Sequence, residues 1–384
     1  MSTAHQHLNS RSVASRAQEY KKMRQISSLL QGLARSLSVG KDRKGDGAGD
    51  GKTALPAVLR TSGTLWGEGS ETFAAVCSRR GEKGINQDCS IVWEEDTILC
   101  GIFDGHGPWG HYVAKAVRDS LPPSLLCHWQ EALALASLID GEKRLGDCQF
   151  DLWKQSYVAT CAAVDDELRR SRRFDAVQSG CTALSIVKQG DLMVVANVGD
   201  SRAVLGTTSD DGAIAAVQLT VDFKPNLPRK SLLTGHAFLC TGAAAVADVV
   251  SWNTMCAEEK ERIRRCNGQV YCLADEPGVH RVWQPNRESP GLAMSRAFGD
   301  YCVKDYGVIS VPEVTQRRIS SNDQFVILAT DGVWDVLSND EAVQIVAGTP
   351  DREKAAKRLV ERKRRGIAVD DCSAICLFFH PPPP

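Results

Sequence analysis

The chain is organised around residues 98–107, which read ILCGIFDGHG. The run up to residue 103 is apolar without polar alternation, which is typical of a strand buried on both faces. It ends in Asp104, Gly105, His106 and Gly107, and two glycines around a histidine indicate a tight turn with close backbone approach. A carboxylate at a rigid strand end beside an imidazole suits a hard-metal ligand next to a proton donor.

The composition is that of an ordinary globular protein. Its 384 residues suffice for one large domain or two modest ones, and 43% are hydrophobic and 24% charged. The formal net charge is -1, from 46 basic and 47 acidic residues. Neither a nucleic-acid groove nor a polybasic membrane surface is therefore expected. No stretch approaches the roughly 20 apolar residues of a membrane helix, so we expect no membrane insertion.

The N-terminus and the cysteines predict an intracellular protein. The first residues lack the apolar core of a secretory signal, and Ser2 occupies the position at which myristoylation needs glycine. The 14 cysteines are scattered and form no CxxC pair. We interpret them as reduced, small core residues rather than as zinc ligands. The expected localisation is cytoplasmic, nuclear or both.

Residues 1–71 are predicted to form a partly disordered N-terminal extension. Apolar residues recur at helical spacing over residues 15–38. They predict an amphipathic helix that docks on the domain or stays an unstable tail, with a regulatory helix as the alternative. Residues 40–53 have the composition of a linker. Although they end in Gly-Lys-Thr, Asp46 stands where a phosphate-binding loop needs glycine, so nucleotide binding is not expected.

From about residue 72 onward, short apolar strands have long helices inserted between them. Strict strand–helix alternation is missing, which favours layered sheets flanked by helices. Residues 182–187 and 192–198 predict a hairpin, because Gly190 lies in the short loop between them. Ser338 and Glu341 form a capping-box pattern that starts a helix. The other predicted strands cover residues 72–77, 90–93, 203–206, 324–330 and 372–379, and the other predicted helices cover 109–117, 153–168 and 257–266.

Four acids stand at junctions between a loop and an apolar strand: Asp88, Asp104, Asp331 and Asp370. Any one of them could simply cap a turn or a helix. Because strand ends converge in a sandwich, the four could also meet in one cleft, where ionised carboxylates need cations between them. Ligands that are all oxygen favour Mg²⁺ or Mn²⁺. Two such ions about 4 Å apart are the usual apparatus for attack on phosphorus.

Seven motifs follow one another along the chain: GINQD (84–88), FDGHG (103–107), SGCTA (179–183), NVGDSR (197–202), SRAFGD (295–300), DGVWD (331–335) and DDCS (370–373). Together and in this order they resemble the metal-dependent protein phosphatases of the protein phosphatase 2C family, in the wording of its plant branch. The resemblance covers about residues 72–380, which would be the phosphatase domain. It implies an α+β fold, a four-layer αββα sandwich of two antiparallel sheets flanked by helices. It also implies hydrolysis of phosphoserine and phosphothreonine in protein substrates by a metal-activated water.

The resemblance further implies which residues hold the metal. Asp104 would bridge two Mg²⁺ or Mn²⁺ ions, and the Gly105 carbonyl would bind one of them directly or through water. Asp331 and Asp370 would hold the second ion. Asp88 would contribute through the water shell.

Four more residues have an implied or expected role. Asp200 matches a ligand of a weaker third metal site. His106 matches the family's proton donor to the leaving serine or threonine oxygen, a role that suits an imidazole. Lys83 stands where many relatives have arginine, and it either contributes positive charge to phosphate binding or is a solvated loop lysine. Asp300 is expected to turn the chain rather than to bind metal.

Residues 229–256 depart from the family pattern. They are apolar, rich in small residues and without a clear period, and such a long loop is uncommon in a compact domain. They come either from unspliced message or a wrongly assigned exon boundary, or from a genuine isoform insert. Because an insert here could impair activity, a catalytically impaired phosphoprotein-binding regulator is the alternative function. A two-metal nuclease is poorly supported by the balanced charge. We expect a monomer.

Overall fold

The computed structural model describes residues 57–59, 62–66, 73–94, 98–140, 149–209, 211–225, 257–287, 290–362 and 370–380. The helix predicted over residues 15–38, the linker over 40–53 and the insert over 229–256 lie outside the described residues. Those three interpretations therefore stay predictions.

Two six-stranded sheets form the centre of the fold, and neighbouring strands in both are antiparallel. The first sheet has the spatial order β1 (Ala57–Leu59), β4 (Cys89–Glu94), β5 (Ile98–Phe103), β8 (Ala183–Gln189), β9 (Leu192–Val198) and β15 (Glu313–Arg318). The second has the order β11 (Ile214–Gln218), β10 (Arg202–Thr208), β16 (Asp323–Ala329), β17 (Cys372–Phe378), β3 (Phe73–Arg79) and β2 (Gly63–Trp66).

Short strands and helices complete the described part of the domain. A three-stranded sheet consists of β6 (Gly105–His106), β7 (Gly180–Cys181) and β14 (Phe298–Gly299), and a hairpin consists of β12 (Gln269–Tyr271) and β13 (Arg281–Trp283). The helices are α1 (Gly110–Asp140), α2 (Gln149–Arg170), α3 (257–265), α4 (Tyr301–Lys304), α5 (Asp331–Trp334), α6 (Asn339–Ala347) and α7 (Ala355–Val360), with a 3₁₀ turn over Arg352–Lys354. None of the described helices is both long enough and apolar enough to cross a membrane.

Strand β5 shows why the sheets lie inside the sandwich. Leu99 and Phe103 on one face pack with the buried residues of α1 and α2, whereas Cys100 and Ile102 on the other face pack with the second sheet. Because successive side chains of a strand point to opposite faces, a strand covered on both sides has no polar positions. The second sheet is covered on its outer face by α5, α6 and α7. This arrangement confirms the predicted four-layer αββα sandwich.

The sheets begin before the predicted domain boundary at residue 72. Strands β1 and β2 form the outer edges of the first and second sheets, so residues 57–59 and 63–66 belong to the sandwich rather than to the extension predicted over residues 1–71. Runs of three and four residues are too short to show a period in the sequence. The sequence also underestimated α1, which extends to Asp140 instead of ending near residue 117.

Candidate active site

The ends of strands from both sheets meet at one edge of the sandwich. Thr330 follows β16 and donates a hydrogen bond from Oγ1 to Asp88 Oδ2 at 3.0 Å, and Asp88 directly precedes β4. Thr330 Oγ1 also accepts a hydrogen bond from the backbone nitrogen of Ser373 in β17 at 3.0 Å. This edge brings together five acids, which we call the carboxylate cluster: Asp88, Asp104, Asp200, Asp331 and Asp370.

Asp104 lies within electrostatic reach of the whole carboxylate cluster. Burial raises the pKa of Asp104 well above its usual value, and the negative charges of the other four members raise it further. Such shifts arise when carboxyl groups leave water and share a site with like charges. The four acids that the sequence places at strand–loop junctions are therefore neighbours in space, and Asp200 joins them.

In two other members of the cluster, burial and neighbouring negative charges also raise the pKa. Burial and the charge of Asp371 raise the pKa of Asp88 to about 7, although hydrogen bonds from Ser373 and Thr330 oppose the shift. Burial and the neighbouring carboxylates raise the pKa of Asp331 to about 8. Near neutral pH, protonation and cation binding therefore compete at these two carboxyl groups.

The cluster also contains buried carboxylate oxygens without a hydrogen-bond partner among the described residues, namely Asp88 Oδ1 and Asp200 Oδ1. An unpaired buried oxygen of this kind costs about 1–3 kcal/mol, and more if it is charged. In the described ranges, no group of three or more His, Cys, Asp or Glu side chains is spaced so that it could hold a metal ion. The fit to Mg²⁺ or Mn²⁺ therefore rests on the all-oxygen donor set and on these unpaired oxygens.

Only glycine fits at position 105, because two other backbone segments approach it closely. A Cβ atom at this position would lie 2.5 Å from the carbonyl oxygen of Gly110 and 2.8 Å from that of Gln87. Any side chain would thus displace the loop before β4 or the start of α1. The turn predicted from the two glycines therefore holds Asp104 and His106 against the loop that carries Asp88.

His106 is paired with Asp300. Its Nε2 lies 2.6 Å from Asp300 Oδ2, and the Asp300 side chain is almost fully buried. Burial alone would lower the pKa of His106, but the charge and hydrogen bond of Asp300 raise it overall. Asp300 was expected to turn the chain, and its φ of 51° does so; its contact with His106 is a feature that the sequence did not reveal.

Lys83 points to the cluster although its side chain is largely exposed. Its Nζ forms an ion pair with Asp370. Burial opposes the shift, but the hydrogen bond and charge of Asp370 raise the pKa of Lys83. The charges of Asp331 and Asp104 act in the same direction. The position thus agrees better with a charge at the site than with a solvated loop lysine.

Asp371 fixes the loop that carries Lys83 and Asp88. Its Oδ1 accepts a hydrogen bond from the backbone nitrogen of Gly81, and its Oδ2 accepts one from that of Gln87, both at 2.8 Å. The sequence identified Asp371 only as the neighbour of Asp370. Its partners lie 290 and 284 residues away, so no local pattern could reveal this role.

Lys224 is a second cation that the sequence did not identify. Its Nζ lies 3.8 Å from Asp200 Oδ2. Burial raises the pKa of Asp200, and the charge of Lys224 opposes that shift. The described cluster therefore has positive charge on two sides, from Lys83 beside Asp370 and from Lys224 beside Asp200.

Sequence comparison identifies one family over most of this domain. The family model described as "Protein phosphatase 2C" matches residues 93–229 and 243–371. The residues that it leaves unmatched between these ranges fall within the predicted insert over 229–256. The matched ranges contain every member of the carboxylate cluster except Asp88.

Several plant proteins are similar to this chain over nearly its whole length. A probable protein phosphatase 2C 48 of Oryza sativa subsp. japonica is 71% identical over 381 residues, covering 94% of this chain and 100% of that protein. A probable protein phosphatase 2C 34 of Arabidopsis thaliana is 54% identical, covering 93% of this chain and 98% of its own length. A crystal structure of serine-threonine phosphatase 2C from Toxoplasma gondii has a similar fold, with a TM-score of 0.67 and 23% identity over 84% of this chain and 98% of that chain.

Proposed function

The chain belongs to the protein phosphatase 2C family and is a metal-dependent serine/threonine phosphatase, and we propose that it hydrolyses its phosphoprotein substrates at the carboxylate cluster. The observation that carries the proposal is a group of buried and partly buried acids at one edge of the sandwich, four of which have raised pKa values and two of which have an unpaired buried oxygen. Family membership decides against the nuclease alternative.

The cluster would hold two Mg²⁺ or Mn²⁺ ions. Asp104 is the best candidate for the shared ligand, because its pKa responds to every other member of the cluster. Asp331 and Asp370 would complete one site, and Asp88 with the Gly105 carbonyl would complete the other. When bound, the ions supply a water of lowered pKa for attack on phosphorus and positive charge for the phosphate oxygens.

Asp200 would belong to a weaker third site. It has one buried oxygen without a partner, as a ligand position would. Lys224 lies beside its other oxygen and already offsets part of its charge. A cation at Asp200 would thus gain less electrostatic stabilisation than one at Asp104.

Three side chains would act on the substrate or position a group that does. His106 would donate a proton to the serine or threonine oxygen as it leaves phosphorus, and Asp300 would keep the imidazole oriented. Lys83 would supply a point charge to the phosphate oxygens from its position beside Asp370. Cytoplasmic or nuclear localisation and the monomeric state stay predictions from the sequence.

The proposal is tested by phosphate release from a phosphothreonine peptide with and without Mn²⁺. We expect Mn²⁺-dependent turnover by the wild type and a loss of at least about 100-fold in Asp104→Asn, because removal of one preorganised electrostatic group commonly costs that much. Asp191→Asn is the matched control, since Asp191 lies on an exposed hairpin loop and pairs with Arg318. Wild-type rates in a folded Asp104→Asn protein would overturn the assignment.

A further inference from the structure

Three aromatic side chains form a surface beside the active site, which we call the aromatic ledge: the exposed Trp109 and Tyr112 and the partly buried Phe174. The side chain of Trp109 is 40% exposed and that of Tyr112 is 48% exposed. The ring centroids of Trp109 and Tyr112 are 5.6 Å apart, and Tyr112 stacks on Phe174 at 6.4 Å. Exposed aromatic groups that pack on one another are typical of interaction surfaces.

The ledge is attached to the backbone that carries His106. His106 pairs with Gly180 between strands β6 and β7, and the backbone nitrogen of Trp109 donates a hydrogen bond to Ser179 Oγ at 2.9 Å. Between them, Gly107 packs so tightly that a Cβ atom would lie 2.2 Å from the carbonyl oxygen of Gln178. The aromatic ledge therefore has a fixed position relative to His106.

The chemistry of the reaction determines which side of the site faces the substrate protein. The leaving group is the serine or threonine oxygen, so the polypeptide lies on the side from which the proton is donated. If His106 is the donor, the substrate chain passes over the surface next to His106. The aromatic ledge begins three residues beyond His106 and is fixed to the same strand pair.

The surroundings of the ledge are basic. Arg172 and Arg173 directly precede Phe174 in the loop between α2 and β7; both are exposed, and neither side chain forms an ion pair with a described residue. Lys115 is exposed one helical turn beyond Tyr112. The exposed acid nearest in sequence, Asp175, uses Oδ1 to accept a hydrogen bond from the backbone nitrogen of Val177. The surface thus complements an acidic segment that also carries an aromatic or large apolar side chain.

We propose that the aromatic ledge, with Arg172 and Arg173, is a docking surface for the polypeptide of the phosphoprotein substrate. It selects phosphorylation sites that have acidic residues and an aromatic or large apolar residue close to the phosphorylated residue. This inference rests on the proposed role of His106, because that role fixes the side on which the substrate chain leaves the site.

The test compares kcat/KM for three phosphothreonine peptides, whose flanking residues are phenylalanine and glutamate, alanine, or lysine. The wild type should prefer the first peptide. Tyr112→Ala should lower kcat/KM for that peptide roughly tenfold, mainly through KM, as truncation of an aromatic anchor does. Turnover of the alanine-flanked peptide and of p-nitrophenyl phosphate should stay unchanged. Leu135→Ala is the control, since Leu135 is 60% exposed but lies about 35 Å further along α1.

A charge-reversal variant makes the test independent of any loss of folding. Arg172→Glu/Arg173→Glu should shift the preference from the glutamate-flanked to the lysine-flanked peptide, a gain that damaged protein cannot show. Equal kcat/KM for all three wild-type peptides, or an unchanged preference in the charge-reversal variant, would overturn the docking surface alone. No Mn²⁺-dependent turnover of any phosphopeptide by the wild type would overturn the active-site proposal, and the docking surface with it.

Discussion

At the residue scale, the pairing of His106 with Asp300 decides what the imidazole can do. Asp300 has a left-handed backbone conformation, with φ 51° and ψ 43°, which costs a non-glycine residue about 1–2 kcal/mol. Gly180 makes room for it, because a Cβ atom there would lie 2.1 Å from Asp300 Oδ2. Strain that persists at a buried carboxylate facing a histidine indicates a functional constraint.

This pairing predicts a dependence on the leaving group. Asp300→Asn should lower turnover of a phosphothreonine peptide by about 10- to 100-fold, because an alkoxide leaving group needs a proton from a well-oriented acid. p-Nitrophenyl phosphate releases a weakly basic phenolate that needs no acid, so its turnover should fall much less. His106→Gln should give the same pattern with a larger difference. Equal losses on both substrates in Asp300→Asn would show that Asp300 only maintains the fold.

Single residues also show where sequence reasoning stops. Asp104 and His106 could be predicted because their strand, turn and neighbours are contiguous in the chain. The Asp300 partner of His106 lies 194 residues away, and the exposure of Trp109 and Tyr112 could not be predicted from the helix pattern. Helical periodicity locates a face but does not say whether another element covers it.

At the element scale, the loop over residues 80–88 is held in position by hydrogen bonds to Asp371, which directly precedes β17. This loop carries Lys83 and Asp88, and Asp371 accepts a hydrogen bond from each end of it. Strand β17 lies beside β3, with Phe378 opposite Phe73 and Cys372 opposite Arg79. The two ends of the described domain thus jointly position one side of the active site.

Removing these two hydrogen bonds should weaken metal binding more than it lowers the stability of the fold. Asp371→Ala deletes two hydrogen bonds to backbone nitrogens, each worth about 1 kcal/mol. If this free energy is lost from metal binding, the Mn²⁺ concentration for half-maximal activity should rise by up to about 30-fold. Asp371→Asn, which keeps one acceptor oxygen, should be intermediate. Activity at several Mn²⁺ concentrations measures the effect.

The control for this prediction is Asp351→Ala. Asp351 also accepts a hydrogen bond from a backbone nitrogen, that of Glu353, but at an exposed 3₁₀ turn. If Asp371→Ala and Asp351→Ala lower thermal stability alike and leave the Mn²⁺ requirement unchanged, Asp371 has no positioning role.

At the scale of the whole molecule, the layers could be predicted but the strand order could not. Apolar runs and the family resemblance predict two covered antiparallel sheets. The order within each sheet depends on pairings such as β3 with β17, which join residues about 300 positions apart. Such contacts leave no periodic trace in the sequence, and the short edge strands β1 and β2 leave almost none.

The described segments on either side of the predicted insert both contact Ser295 and Arg296. Before it, Phe223 accepts a hydrogen bond through its carbonyl oxygen from the Ser295 backbone nitrogen, and its ring lies 3.9 Å from the Arg296 guanidinium. After it, Glu259 of α3 accepts hydrogen bonds from the side chains of both Ser295 and Arg296. The two flanks therefore converge on the SRAFGD motif, which also carries Asp300. The alternative of an impaired regulator was inferred from the insert itself, which lies outside the described residues, so it stays a prediction.

The metal should also stabilise the whole domain in a pH-dependent manner. An aspartate in an unfolded chain titrates near pH 4, whereas Asp88 and Asp331 in the folded chain have pKa values of about 7 and about 8. Between these limits the folded protein holds more protons than the unfolded chain, so the stability of the metal-free protein falls as the pH rises. Mn²⁺ binds the ionised carboxylates, so its stabilisation grows with pH.

Thermal unfolding with and without Mn²⁺ at about pH 6 and about pH 8 tests most directly whether these acids form a metal centre. We expect the Tm of the metal-free wild type to be several degrees lower at the higher pH, and Mn²⁺ to raise it more there than at the lower pH. In Asp104→Asn the Tm should depend less on pH and respond little to Mn²⁺. A Tm that is independent of pH, with the same Mn²⁺ response in both proteins, would contradict a metal centre at Asp104.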